Sequence, residues 1–157
     1  MKKLIVILLF VSMLLLLTSC GSDKTEKLTD ELIEAAVAEN SECSEENVLT
    51  ASVTIPDYSK YMLEVMDEAE KKAKDAEDYE KVLYSLVRER TKKKCDTVTH
   101  DVSIEMIYVD SEKKDWSDIE LEELAKQKAF EIELEEFCAE LLSMQEDFAA
   151  IEVENEK

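Results

Sequence analysis

The thiol and imidazole side chains are the first candidates for nucleophiles, metal ligands or sites of modification: Cys20, Cys43, Cys95, Cys138 and the single histidine, His100. Their spacing argues against several site types. There is no C-x-x-C, so neither a dithiol redox site nor a zinc ribbon is supported. No G-x-S-x-G elbow accompanies His100, so nothing in the sequence marks a hydrolase triad. His100 stands between Val98 and Val102 in an alternating segment, where it can serve as a base. The simpler reading is a partly buried strand residue with one local hydrogen bond.

Acidic residues give two further candidates. Asp110, Glu112, Asp115 and Asp118 have the look of a calcium loop. Counting from Asp110, however, the glycine position holds Asp115 and the bidentate acid position holds Leu121. Glu120, Glu122 and Glu123 read as a solvated helix face. The basic run Arg88, Arg90, Lys92, Lys93 and Lys94 lies where a helix dipole favours cations, and needs no ligand to account for it. No catalytic or metal-binding residue is assigned, and no enzyme activity or bound cofactor is expected.

Cys20 is different because of what precedes it. Lys2 and Lys3 are followed by an apolar run, Leu4 to Leu17, interrupted only by Ser12. A basic start before a short apolar core has the form of a secretory signal. The core is shorter than the roughly 20 residues needed to span a bilayer as a helix. The run ends in Leu17-Thr18-Ser19-Cys20-Gly21. This segment resembles a bacterial lipoprotein lipobox over residues 1 to about 21. The resemblance implies a cleaved signal peptide (1–19), a covalent diacylglycerol on Cys20 with palmitate-type acyl chains, and attachment to the extracytoplasmic face of the cell membrane. Two chains suffice for stable anchoring where one gives marginal binding. The alternative is an uncleaved transmembrane anchor. Residues 20–27 read as the lipidated cysteine and a polar tether.

Composition limits the partners. Removing residues 1–19 takes away two lysines and no acid, so the net charge moves from −20 to −22. Such a chain is not expected to bind nucleic acid, and anionic lipid repels it, so lipid rather than charge must hold it to a membrane.

Stepping along the mature chain, one glycine and one proline leave little turn chemistry, which favours few, long elements. Residues 29–40 read as a helix, capped by Thr29 and ended by Asn40, with a polar loop from Ser41 to Asn47. Leu49, Ala51, Val53 and Ile55 alternate as a half-buried strand ended by Pro56. Asp57 caps a helix with the stripe Tyr58, Tyr61, Met62, Val65, Met66, Ala69 and Ala73. Tyr79, Val82, Leu83, Leu86 and Val87 mark a second. Val98, His100, Val102, Ile104, Met106 and Tyr108 share one face of a long strand, 97–109. A charged turn at Asp110 to Lys114 and then Trp116 lead to Ser117-Asp118-Ile119-Glu120, a capping box. A helix to about Met144 follows, with a bend near 126–129 and a strand over 128–136 as alternatives. The fold class is therefore α+β: a small antiparallel sheet packed against amphipathic helices, in one domain over 28–146, with an acidic loose tail at 147–157. This order over roughly residues 28–120 is similar to small cystatin-like or NTF2-like surface lipoproteins. The chain departs from them in lacking a glycine turn before Trp116 and in having fewer clear strands.

Three cysteines remain after lipidation. Two strands joined by a helical hairpin run antiparallel, which puts Cys43 and Cys95 at opposite ends of the sheet. A long final helix carries Cys138 back toward Cys95. The preferred disulfide is Cys95–Cys138, with three reduced thiols as the alternative. In function, the sequence reads as a membrane-anchored envelope lipoprotein with an acidic interaction domain for an unknown envelope protein or small ligand. Two alternatives are a solute-binding module and an immunity or inhibitor lipoprotein that neutralises a basic partner.

Overall fold

The computed structural model describes residues 23–44, 46–106 and 117–155. Their order is α1 (Asp23–Ile33), β1 (Val37–Cys43), β2 (Val48–Pro56), α2 (Tyr58–Lys72), α3 (Ala76–Thr91), β3 (Thr97–Glu105) and α4 (Asp118–Asn155). The strands form an antiparallel sheet in the order β1-β2-β3, with β2 in the centre. This is the α+β fold read from the sequence.

The alternating residues of β2 explain the layering. Leu49, Val53 and Ile55 are fully buried and Ala51 nearly so, while Thr50 on the opposite face is exposed. In β3, Val98, His100, Val102 and Ile104 turn inward, and Thr97, Thr99, Asp101 and Ser103 turn outward. α4 crosses under all three strands and packs against α2. Its buried stripe is Leu121, Ala125, Ala129, Phe130, Leu134, Phe137 and Leu141. Phe130 meets Tyr58 of α2 and Tyr84 of α3 edge-on, with centroids 5.7 and 6.2 Å apart. Such aromatic pairs add about 0.5–1.5 kcal/mol to the area they bury.

The helix starts follow their caps. Asp57 accepts from Lys60 N at 3.1 Å and Asp75 from Asp78 N at 2.9 Å. At α4 the box is reciprocal: Glu120 N donates to Ser117 Oγ, and Ser117 N donates to Glu120 Oε2, both at 3.2 Å. Each carboxylate or hydroxyl satisfies amides that the first helical turn leaves without partners.

Several expectations are corrected. The first helix begins at Asp23, inside the segment read as tether, and ends at Ile33. Thr29 is not its cap: it lies mid-helix and donates to Thr25 O. Residues 37–43, read as helix end and loop, form β1. A tight turn through Glu34–Ala36 ends the helix. Pairing with β2 then outweighs the helical spacing of Ala36 and Val37. Asn40 does not end a helix; at φ 57° it sits in a bulge where the register slips between Glu39 and Glu42. Asn47, at φ 61°, makes the β1–β2 turn. Asparagine tolerates the left-handed region better than other non-glycine residues, so these two supply turns in a chain with almost no glycine.

α4 is continuous, so neither a break near 126–129 nor a strand at 128–136 is present. The stripe from Ala125 to Leu141 holds helical period across that span. The helix also runs on to Asn155, beyond the end near Met144 that the spacing predicts. β3 ends at Glu105, with Met106 already outside the strand; the rest of its expected extension, 107–109, the charged turn and Trp116 lie outside the described residues, as do Cys20 and the signal segment.

Candidate functional site

The most deeply buried charged side chain among the described residues is one the sequence reading did not single out. Glu133 lies in the middle of the buried stripe of α4 and is fully buried. Its Oε1 is 2.6 Å from His100 Nε2. Its Oε2 accepts from Ser59 N at 2.9 Å. Three elements therefore meet at one carboxylate: β3 supplies the imidazole, α4 the acid and the first turn of α2 an amide.

Each element is there for a local reason. His100 stands opposite Val53 in the β2–β3 ladder, on the face that looks toward α4. Its side chain is 11% exposed, so it is nearly covered but still reached by solvent. Ser59 lies two residues past the cap Asp57, where helical amides have no partner within the helix. Asp57 and Glu133 together put two carboxylates at the positive end of the α2 dipole. Ser59 Oγ is itself directed to Asp57 Oδ1 at 3.3 Å.

Glu136, one helical step further along α4, is exposed. One ligand atom each from His100, Glu133 and Glu136 lies within 4.8 Å of the others. No Lys or Arg forms an ion pair with Glu133 or Glu136 among the described residues. The cluster thus combines an imidazole with two carboxylates, a donor set that takes protons or a metal ion.

The same corner is tied down on its other side. Tyr58 OH donates to Leu32 O at 2.8 Å in the core. Burial pushes the Tyr58 phenol well above its ordinary value, so it remains a neutral donor. Asp57 N donates to Asp96 O, Asp96 N to Tyr61 OH, and Lys60 Nζ pairs with the Asp96 carboxylate. The Lys60 ammonium in turn holds the Asp96 carboxyl below the usual carboxylate range. The entrance to β3 and the start of α2 are therefore one hydrogen-bonded unit.

The other sequence candidates are scattered. Cys43 lies near the turn at one end of the sheet and Cys95 precedes β3 at the other, as the antiparallel reading required. The preferred Cys95–Cys138 disulfide is not formed: Cys43, Cys95 and Cys138 are all free thiols. Cys138 packs on the core near Tyr84, in the middle of α3, whereas Cys95 lies beyond the end of that helix. Burial raises the Cys138 thiol, so it is a poor thiolate. The basic run is partly used within the fold: Arg88 pairs with Glu31 of α1 at 2.7 Å and Arg90 with Glu68 of α2 at 3.6 Å. His100, read with a local hydrogen bond, has its partner 33 residues away. Of the calcium-like acids only Asp118 is described, at the exposed start of α4.

Glu133 had a signal in the sequence. Ala129, Glu133 and Phe137 follow one another at four-residue steps, so a helix that buries the outer two must also bury the acid between them.

No known protein family, curated protein or solved structure matches this chain. No helix among the described residues is long and apolar enough to cross a membrane.

Proposed function

We propose that this protein is a membrane-anchored envelope lipoprotein, acylated on Cys20, whose domain docks a basic partner protein on the extracytoplasmic face. The observation that carries the reading is the lipobox-like Leu17-Thr18-Ser19-Cys20 followed by a folded helix from Asp23. Three residues span at most about 10 Å. α1 is packed on α3 and carries the ion pair Glu31–Arg88. An anchor at Cys20 would therefore hold the domain close to the bilayer rather than on a long stalk.

The outward face of the sheet supports the choice of partner. Glu39, Ser52 and Asp101 form one cross-strand row, and Glu42, Thr50 and Ser103 the next. Ser52 donates to Asp101 at 2.6 Å, and the Thr54 and Thr99 hydroxyls are 2.9 Å apart. No lysine or arginine stands in these rows, and no helix among the described residues covers them. On a chain with this net charge, the face would attract a basic protein in a salt-dependent way. An immunity or inhibitor lipoprotein is one form such a protein could take.

The test is intact mass and fatty-acid labelling of membrane-associated protein, beside Cys20→Ala. Loss of residues 1–19, with lipid present only when Cys20 is, is the expected result. Full-length, unlipidated protein still in the membrane would overturn the anchor. The docking claim is tested by in-membrane crosslinking from Thr99. A basic partner lost in the Glu39→Lys/Asp101→Lys variant is expected; a partner retained by that variant would overturn the docking face.

A further inference from the structure

We propose that His100, Glu133 and Glu136 bind one divalent first-row transition-metal ion at the junction of β3, α4 and α2. The reading is independent of the lipid anchor and of the sheet face.

Electrostatics calls for a cation at this point. Glu133 is fully buried, and a buried carboxylate is costly unless a charge or several hydrogen bonds compensate it. It has one amide and one imidazole. A second carboxylate, Glu136, has an oxygen within 4.8 Å of its ligand atoms. Two like charges this close raise each other's energy. A divalent ion offsets both and leaves the imidazole neutral, the form in which it ligates.

The geometry fits such an ion. Bonds of about 2.0–2.2 Å to zinc place tetrahedral ligand atoms roughly 3.3–3.6 Å apart. The His100–Glu133 contact at 2.6 Å must open slightly, and Glu136 must close in from its present separation. Glu136 is exposed, so the closing movement falls on the side chain with room to change rotamer. The Ser59 amide already holds Glu133 Oε2, the kind of outer hydrogen bond that fixes a ligating carboxylate. One imidazole with two carboxylates suits zinc and its neighbours better than calcium or magnesium, which take oxygen ligands alone. Three protein ligands leave a fourth position, which opens to solvent on the Glu136 side.

The experiment uses the detergent-solubilised full chain carrying Cys43→Ala, Cys95→Ala and Cys138→Ala, because free thiols would bind the same ions. Zn2+ is titrated calorimetrically, and Co2+ is added separately to read the ligand field by absorption. The expected result is one ion per chain and a Co2+ spectrum of low coordination number. Glu136→Gln should weaken binding by about tenfold or more, and His100→Gln should abolish it. Glu122→Gln, an exposed acid elsewhere on α4, should leave it unchanged. Glu136 is at the surface, so that variant decides the matter even if His100→Gln does not fold. No stoichiometric uptake, or equal affinity in the parent and Glu136→Gln proteins, overturns the proposal.

Discussion

Glu133 Oε1 lies 2.6 Å from His100 Nε2 while the other oxygen of the same carboxylate holds the amide of Ser59. One fully buried acid thus locks the long helix to the sheet and to the start of the second helix. Neither partner alone accounts for its position. His100 gives it a side-chain hydrogen bond at the sheet, and Ser59 gives it the positive end of a helix.

Removing the imidazole should therefore cost more than removing the pair. His100→Leu leaves the Glu133 carboxylate buried with a single amide, and the loss should be about 3–5 kcal/mol. The double variant His100→Leu/Glu133→Leu removes the stranded charge and should recover much of that loss, although Ser59 N is left without its acceptor. Urea unfolding of the three proteins, metal-free, makes the comparison. Losses that simply add would show that the two side chains do not act as a pair.

Tyr58 offers a test of the adjoining core. Its ring is fully buried against Phe130, and its hydroxyl donates to Leu32 O at 2.8 Å. Tyr58→Phe keeps the ring and deletes the bond, so the expected loss is about 1 kcal/mol. The urea midpoint should fall with the slope unchanged. An unchanged midpoint would mean that water satisfies Leu32 O as well as the phenol does.

How much of this could be read in advance depends on where period and burial agree. The alternation of Leu49, Ala51, Val53 and Ile55, the cap Asp57 and the Ser117–Glu120 box were all legible, because local chemistry and tertiary placement coincide there. β1 was not. Its partly buried residues, Ala38, Ser41 and Cys43, fall out of step by one at the Asn40 bulge, which hides the two-residue period. Val37, its most apolar residue, is 58% exposed. Only pairing to the free edge of β2 makes this segment a strand, and no local signal reports that. The site was half legible in the same sense. His100 stood out by type, while Glu133 was hidden among the many acids of α4. Its distinguishing feature is its place between Ala129 and Phe137, not its chemistry.

The capping box predicts a local effect. Ser117→Ala removes the acceptor for Glu120 N and leaves Glu120 without its hydroxyl partner. Losing such a cap costs about 1 kcal/mol. The first turn of α4 is exposed, so the loss should appear as faster amide exchange at Glu120 and Leu121. Exchange in the Phe130–Phe137 segment should barely change. Uniform acceleration along the whole helix would mean that the box supports the entire fold rather than its own turn.

Glu80 predicts a pH dependence of unusual sign. Burial raises its carboxyl above the ordinary 4.5, opposed in part by a hydrogen bond from Tyr84 and by the charge of Lys81. A carboxyl with a raised folded-state pKa binds its proton more tightly in the folded chain. Above that pKa it is ionised in both states, and the folded state carries the desolvation cost. As pH falls through the raised pKa, the folded protein protonates first and the cost disappears. Glu80→Gln should therefore raise the urea midpoint at pH 7, since the amide oxygen can still accept from Tyr84. The advantage should shrink on acidification and vanish below the ordinary value. Acid also relieves repulsion across this highly negative chain, but it does so nearly equally in both proteins, so the difference between them isolates the single carboxyl. An advantage that grew toward low pH would require Glu80 to be stabilised in its charged form, contrary to the burial that surrounds it.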